Sequence, residues 1–271
     1  MSNAMQLEHG DWELRLGDCL DPVRGLASLP DGCADHVMSD PPYEAECHGQ
    51  QRRRVHGHGA GTVVYSELSF EPITEEQRSE VGRRCRALAR RWTVVFCQTE
   101  AVHKWIEAVQ SVGLDYVRTA IWVKPDAQPQ YTGDRPGVGY ESMVIAHQPG
   151  RKRWNGGGRV GVFTHIRERG PGGNGAPHPT TKPLPLMEDL IAEFTDPGDL
   201  ILDPFAGSGT TGVACRRLGR RFLGWERDPK FHAAATKRIG AAREQLGLLS
   251  RTKAPKVEQG DMFKAAAKVR P

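Results

Sequence analysis

No apolar run in this chain approaches the length needed to cross a bilayer, which argues against a membrane span. No signal-peptide pattern of charged, apolar and small residues is present. None of its six cysteines (Cys19, Cys33, Cys47, Cys85, Cys97 and Cys215) falls in a Cys-x-x-Cys pair, which speaks against a disulfide framework and a zinc ribbon alike. There is no internal repeat. These absences describe a protein of a reducing cytoplasm, held together by burial rather than by cross-links. The charge imbalance is also small: 37 Lys and Arg oppose 33 Asp and Glu. Such a balance permits a nucleic-acid partner without requiring one.

What is present is length, glycine and proline. The 271 residues suit one large α/β domain, and 31 glycines with 19 prolines imply many loops around its core. Apolar runs predict strands at residues 12–16, 34–38, 92–97, 116–123, 141–147, 199–202 and 221–225. Helical stretches alternate with them at 22–29, 74–91, 100–112, 184–194, from the glycine turn to Leu218, and from Asp228 to Leu246. Thr74 and Gln77 have capping-box spacing. The alternation predicts a doubly wound fold with a mainly parallel, seven-stranded sheet. Ser2-Asn3-Ala4 before Met5 reads as a cloning remnant covering residues 1–4, and residues 249–271 read as a loosely ordered tail.

The second strand ends in Asp40-Pro41-Pro42-Tyr43. The prolines stiffen the turn and remove two backbone donors, leaving carbonyls to face a ligand. The aspartate is a strong acceptor and the tyrosine a flat stacking face. That platform suits a planar heterocycle with an exocyclic amino group. The bland alternative is a strand followed by a proline turn.

A second element lies far downstream, Asp203-Pro204-Phe205-Ala206-Gly207-Ser208-Gly209-Thr210-Thr211. It follows a strand and opens a helix, and with Gly212 it matches Gly-x-Gly-x-x-Gly. Glu226 ends the next strand, where a carboxylate binds ribose hydroxyls. By pattern alone this is a dinucleotide fingerprint, so an NAD-dependent dehydrogenase competes. Asp203 discriminates: a fixed negative charge opposes a pyrophosphate and favours a sulfonium or ammonium.

Basic residues gather in two loops. Residues 44–70 carry Arg52-Arg53-Arg54 with His48, His56 and His58. Later come Arg151-Lys152-Arg153-Trp154, Arg159, Arg167 and Arg169, interleaved with glycines. Both suit phosphate contact; the first equally suits a solvated loop, and the second suits a DNA-reading loop better than a disordered one. Cys47 and the nearby histidines fit no standard metal-site spacing.

Together the two motifs resemble the amino-methyltransferases of DNA, the N6-adenine and N4-cytosine enzymes. The catalytic motif comes first and the cofactor motif last, the order of the circularly permuted β group. The resemblance covers about residues 12–245. It implies a methyltransferase domain over 5–248 with a Rossmann-like fold, Asp40 to Tyr43 as catalytic tetrapeptide, and S-adenosylmethionine as cofactor. Gly17-Asp18-Cys19 matches the segment meeting the cofactor's adenine. His178-Pro179-Thr180-Thr181-Lys182-Pro183 matches the one flanking its methionine end, placing Thr181 and Lys182 among the cofactor residues. Residues 44–70 become a mobile DNA-contacting arm and 148–177 a short target-recognition insert. The expected partners are double-stranded DNA and a second copy of the chain, with no metal. The expected setting is a nucleoid-associated prokaryotic or phage enzyme, alone or with a restriction endonuclease.

An aspartate-led tetrapeptide resembles adenine enzymes more than cytosine ones, so N6 of a flipped-out adenine is the expected target and N4 of cytosine the alternative. RNA, protein glutamine and a non-catalytic DNA-binding module are remoter readings.

Overall fold

A computed structural model of the chain describes residues 5–44, 71–130, 133–168 and 181–242. Among these, eight strands form one sheet: β1 (Trp12–Leu16), β2 (His36–Ser39), β3 (Trp92–Cys97), β4 (Asp115–Val123), β5 (Tyr140–His147), β6 (Val162–Thr164), β7 (Leu200–Asp203) and β8 (Arg221–Glu226). Their order is β1-β8-β7-β2-β3-β5-β4-β6. Only β5 runs against its neighbours.

Side-chain alternation decides the layers. β3 is buried along its whole length, and alternate residues face opposite sides. Trp92, Val94 and Phe96 enter one core cluster, Val95 and Cys97 the other. A strand apolar on both faces needs helices on both. α1 (Glu75–Leu88) and α2 (Val102–Ser111) cover one face through Val81, Cys85, Leu88, Trp105 and Val109. α3 (Leu184–Phe194), α4 (Thr210–Arg217) and α5 (Pro229–Ala241) cover the other through Leu186, Leu190, Phe194, Val213 and Ile239. The expected capping box closes α1: Gln77 N–H donates to Thr74 Oγ1 at 3.2 Å, and Thr74 N–H to Gln77 Oε1 at 2.9 Å.

The doubly wound fold stands, with three corrections. The sheet has eight strands rather than seven. β6 is three residues long, too short to show a period, and forms because Phe163 is buried while its backbone pairs with Ile121–Val123. Residues 22–29 form no helix beyond a 3-10 turn at Leu26–Ser28. The chain folds back there, Leu26 N–H donating to Cys19 O at 2.8 Å, so tightly that a Cβ on Gly25 would lie 2.3 Å from that oxygen. The α2 segment begins as a 3-10 turn, Thr99–Ala101, before becoming α-helical.

Parallel pairing of β2 with β7 (His36 with Ile201, Val37 with Leu202) fixes the site. It sets the two strand ends side by side, so the motifs at Asp40 and Asp203 meet although they are distant in sequence. β8 lies beyond β7 and delivers Glu226 to the same edge.

Candidate active site

One pocket at the carboxyl edge of β2, β7 and β8 gathers most of the expected residues: Asp18, Cys19, Asp40, Pro41, Pro42, Tyr43, Lys182, Asp203, Pro204, Phe205, Ala206, Gly207, Ser208, Thr210 and Glu226. Gly17 N–H donates to Glu226 O at 3.0 Å, which ties the end of β1 to the end of β8 and brings Asp18 alongside. Cys19 is buried, and burial with the charges of Asp18 and Asp203 pushes its thiol well up, so it stays neutral. Thr181 and Gly209 are not in the pocket wall.

Gly209 packs closely against α5. It holds φ +75°, and a Cβ there would stand 3.0 Å from Ala235 and Ile239 of α5. Gly212 is tighter, with Ile239 Cδ1 at 2.7 Å and Phe222 Cε1 at 2.9 Å from such an atom. Only Gly207, at φ +52°, bends the loop at the pocket itself. Ala206 N–H to Trp225 O, 2.8 Å, fastens the loop to β8.

Asp203 is 2% exposed. Its Oδ2 accepts from Thr211 Oγ1 at 2.6 Å and its Oδ1 from Phe205 N–H at 3.1 Å. Burial wins over these bonds, with Asp40 and Glu226 adding repulsion, and the carboxyl is pushed up to about 7. Glu226 is also raised by burial, against backbone N–H donors at Asp228 and Gly207. Two carboxyls that resist ionisation call for a cationic or hydroxyl-bearing ligand rather than an anionic one.

The tetrapeptide sits in a charge cluster that the sequence reading missed. Lys182 Nζ lies 2.6 Å from Asp40 Oδ2 and 2.9 Å from Glu141 Oε1, and Lys124 Nζ lies 2.7 Å from Glu141 Oε2. The Lys182 ammonium also stands over the Phe96 and Tyr43 rings at 4.9 and 5.8 Å. Asp40 Oδ1 is buried and has no hydrogen-bond partner among the described residues. A buried acceptor left open costs free energy unless a ligand completes it. Because β5 runs backwards, its first residues lie at the carboxyl edge of the other strands. That places Glu141 in the site, an assignment no motif could reveal.

Four of the five described basic candidates for DNA contact are paired. Lys152 meets Asp115 at 2.8 Å, Arg153 meets Asp196 at 3.3 Å, Arg167 meets Asp126 at 3.4 Å, and Arg159 pairs with Glu193. Arg151, Lys152 and Arg153 follow the end of β5, where His147 pairs with Trp92 at the start of β3. They therefore lie at the sheet edge opposite the pocket. Arg52, Arg53, Arg54 and Arg169, the group Cys47, His48, His56 and His58, the segment His178 to Thr180, and the tail lie outside the described residues.

The family model for DNA methylases, covering the N6 and N4 enzymes, matches residues 34–237. The chain belongs to this family. Both motifs and the charge cluster fall within that span. The type II methyltransferase M2.DpnII of Streptococcus pneumoniae is 26% identical over 249 residues, covering 83% of this chain and 89% of that protein. Among solved structures, the complex of M1.HpyAVI with S-adenosylmethionine superposes with a TM-score of 0.62 at 23% identity, covering 84% of this chain and 98% of the other. PvuII DNA methyltransferase, cytosine-N4-specific, gives 0.63 at 17% identity over 84% and 86%. These two likenesses establish the fold of a DNA methylase. Among the described residues, no helix is long and apolar enough to cross a membrane.

Proposed function

We propose that this DNA methylase transfers a methyl group from S-adenosylmethionine to the exocyclic N6 of an adenine flipped out of duplex DNA. The single observation that carries the reading is Asp40 in the pocket wall with a buried Oδ1 that no described residue bonds, an acceptor left for an amino N–H. An exocyclic amino nitrogen is a poor nucleophile, because its lone pair is delocalised into the ring. Hydrogen bonds to Asp40 and to the Pro41 carbonyl draw that pair back onto nitrogen. They strengthen as positive charge develops there, so they favour the transition state over the ground state. Tyr43 stacks on the base and fixes its plane. A base inside a duplex cannot reach this pocket, so the nucleotide is extruded first.

The residues present fit the cofactor. Glu226 is the acceptor for ribose hydroxyls, Asp203 the counter-charge for a cation, and Gly207 the point where backbone meets ligand. S-adenosylmethionine supplies an electrophilic methyl carbon on a positively charged sulfur. This chain's part is to hold the amino nitrogen in line and to accept its hydrogen bonds. The nitrogen–carbon bond would form as the carbon–sulfur bond breaks, S-adenosylhomocysteine would leave, and the proton shed by the nitrogen would pass to water; no covalent enzyme intermediate forms.

The preference for adenine rests on the aspartate at the head of the tetrapeptide. We also propose that the chain acts as a homodimer, and that residues 44–70, with Arg52, Arg53 and Arg54, contact the DNA backbone. The test is nucleoside mass spectrometry of unmodified plasmid DNA incubated with protein and S-adenosylmethionine. N6-methyldeoxyadenosine is the expected product. N4-methyldeoxycytidine instead overturns the adenine assignment and keeps the chemistry, and no methylated base overturns both.

A further inference from the structure

The charge cluster has more parts than methyl transfer by a lone tetrapeptide requires. Two acids and two lysines alternate from Asp40 through Lys182 and Glu141 to Lys124. Lys182 and Glu141 are almost fully buried, their side chains 7% and 6% exposed. Burying several charges is costly unless each is paired, so such a cluster persists only where its geometry is close. The cluster is neutral as a whole. Among the described residues Asp40 Oδ1 has neither a hydrogen bond nor an ion contact, whereas Glu141 Oε1, which also lacks a hydrogen bond, lies 2.9 Å from Lys182 Nζ.

We propose that Lys182, held by Glu141 and Lys124, is a positioning residue for methyl transfer: it keeps Asp40 an anion with Oδ2 occupied and Oδ1 open to the amino group. The inference deepens the methyltransferase reading and rests on it. A protonated Asp40 presents a donor to the amino group in place of an acceptor, and transfer stops. Asp40 is under pressure to protonate. Burial raises it, Lys182 opposes, and Glu141 pushes it up again. Around it stand Lys182 ahead of α3, Glu141 on β5, Lys124 after β4, Asp203 on β7 and Cys97 on β3. Glu44 lies on its own loop, 3.6 Å from Arg78 of α1. Of these, only Lys182 touches the carboxylate with an opposite charge. Glu141 gives up little by comparison: burial raises it, yet Lys182 and Lys124 together hold it at about 2.

The arrangement predicts opposite effects from two neutralising changes. In Lys182→Met, Glu141 retains Lys124 while Asp40 loses the one cation that touches it among the described residues, so Asp40 protonates more readily. In Glu141→Gln, a repelling charge is removed and both lysines remain, so Asp40 protonates less readily. A lysine that merely braces the fold gives no such reversal, and neither does one that binds the cofactor.

The experiment measures the pH dependence of kcat for transfer to plasmid DNA in wild type, K182M, K182R and E141Q. Cofactor affinity is measured by calorimetry alongside. The acid limb is expected to move up by about one pH unit or more in K182M, down in E141Q, and little in K182R, with cofactor affinity within about threefold throughout. A limb that stays in place in both neutral variants overturns the proposal, as does a K182M defect confined to cofactor affinity. Carboxyl carbon-13 NMR of aspartate-labelled protein, with Asp40 assigned from D40N, follows the same titration without turnover. It therefore tests the clamp even if the chain methylates no DNA. It also serves if K182M fails to fold, because E141Q alone must still lower the Asp40 midpoint, and an unchanged midpoint there overturns the proposal.

Discussion

Thr211 Oγ1 donates a 2.6 Å hydrogen bond to Asp203 Oδ2, and the carboxyl it serves is still pushed up to about 7. The bond is short and charge-assisted, yet burial outweighs it. Asp203 thus changes charge close to neutral pH when no cation is beside it. A cationic ligand prefers the carboxylate, so binding expels a proton below about pH 7. Affinity for S-adenosylmethionine is expected to rise with pH through that value and then level off. Thr211→Val removes the opposing donor and shifts the rise to higher pH. Calorimetry in buffers of different ionisation enthalpy counts the protons released, and a count of zero at about pH 6 contradicts the assignment.

The same group makes a stability prediction of opposite sign. Its folded value lies above the unfolded value of 3.8. The contribution is therefore fully present below 3.8 and is lost as pH rises through about 7. The cofactor-free protein should lose thermal stability over that window, and Asp203→Asn should flatten the loss. Melting curves of both proteins across the window check this.

Asp40→Ala is expected to abolish transfer, by at least about 10²–10³-fold in kcat, while cofactor affinity changes little. It also strips Lys182 of one of its two carboxylate partners, leaving Glu141 between two lysines, so it should destabilise the fold as well. Asp40→Asn separates the two effects. Its amide oxygen can still accept from Lys182, so the fold is retained while the acceptor weakens. Turnover and urea denaturation on both variants distinguish chemistry from folding. Near-normal turnover in D40A removes Asp40 from the mechanism.

Much of this was legible in the sequence. β3 is a continuous apolar run and α3 an apolar period with proline at its start, and both formed as expected. The two motifs could be joined because strand ends in an open sheet share an edge, and β2 pairs with β7. What escaped notice depends on geometry with no local code. Lys182, expected among cofactor contacts, lines the pocket and also stands on Asp40. Glu141 reaches the site only because β5 is reversed. Gly209 fitted a ligand-binding fingerprint while its lack of a side chain serves the contact with α5.

That last point is testable at Gly212, which is more crowded against α5 than Gly209. Alanine there gains roughly 0.5–1 kcal/mol of backbone entropy within α4. Against that, its Cβ meets Ile239 at 2.7 Å and Phe222 at 2.9 Å. Overpacking of this kind costs typically about 1–3 kcal/mol, so the net effect is destabilising. Ile239→Val removes the Cδ1 that clashes most and should restore part of the loss in the double variant. Urea denaturation of the four proteins of this cycle gives the coupling, and purely additive effects refute direct contact as the cause.

Arg151, Lys152 and Arg153 read as a DNA-contacting cluster in sequence, and their surroundings argue otherwise. Lys152 and Arg153 are paired with Asp115 and Asp196, and the group sits across the sheet from Asp40. A duplex presenting a base to Asp40 has its phosphates near the carboxyl edge. Counterion release then sets a sharp expectation, because each lost phosphate contact lowers the slope of log affinity against log salt by about 0.9. Replacing Lys152 and Arg153 with serine should leave that slope unchanged. Replacing Arg52, Arg53 and Arg54 together should lower it by up to about 2.7 if all three meet phosphate. Fluorescence anisotropy with a labelled duplex across a salt series measures both. A slope that falls in the Lys152/Arg153 variant and holds in the triple variant moves the DNA to the opposite edge and breaks the proposed geometry of transfer.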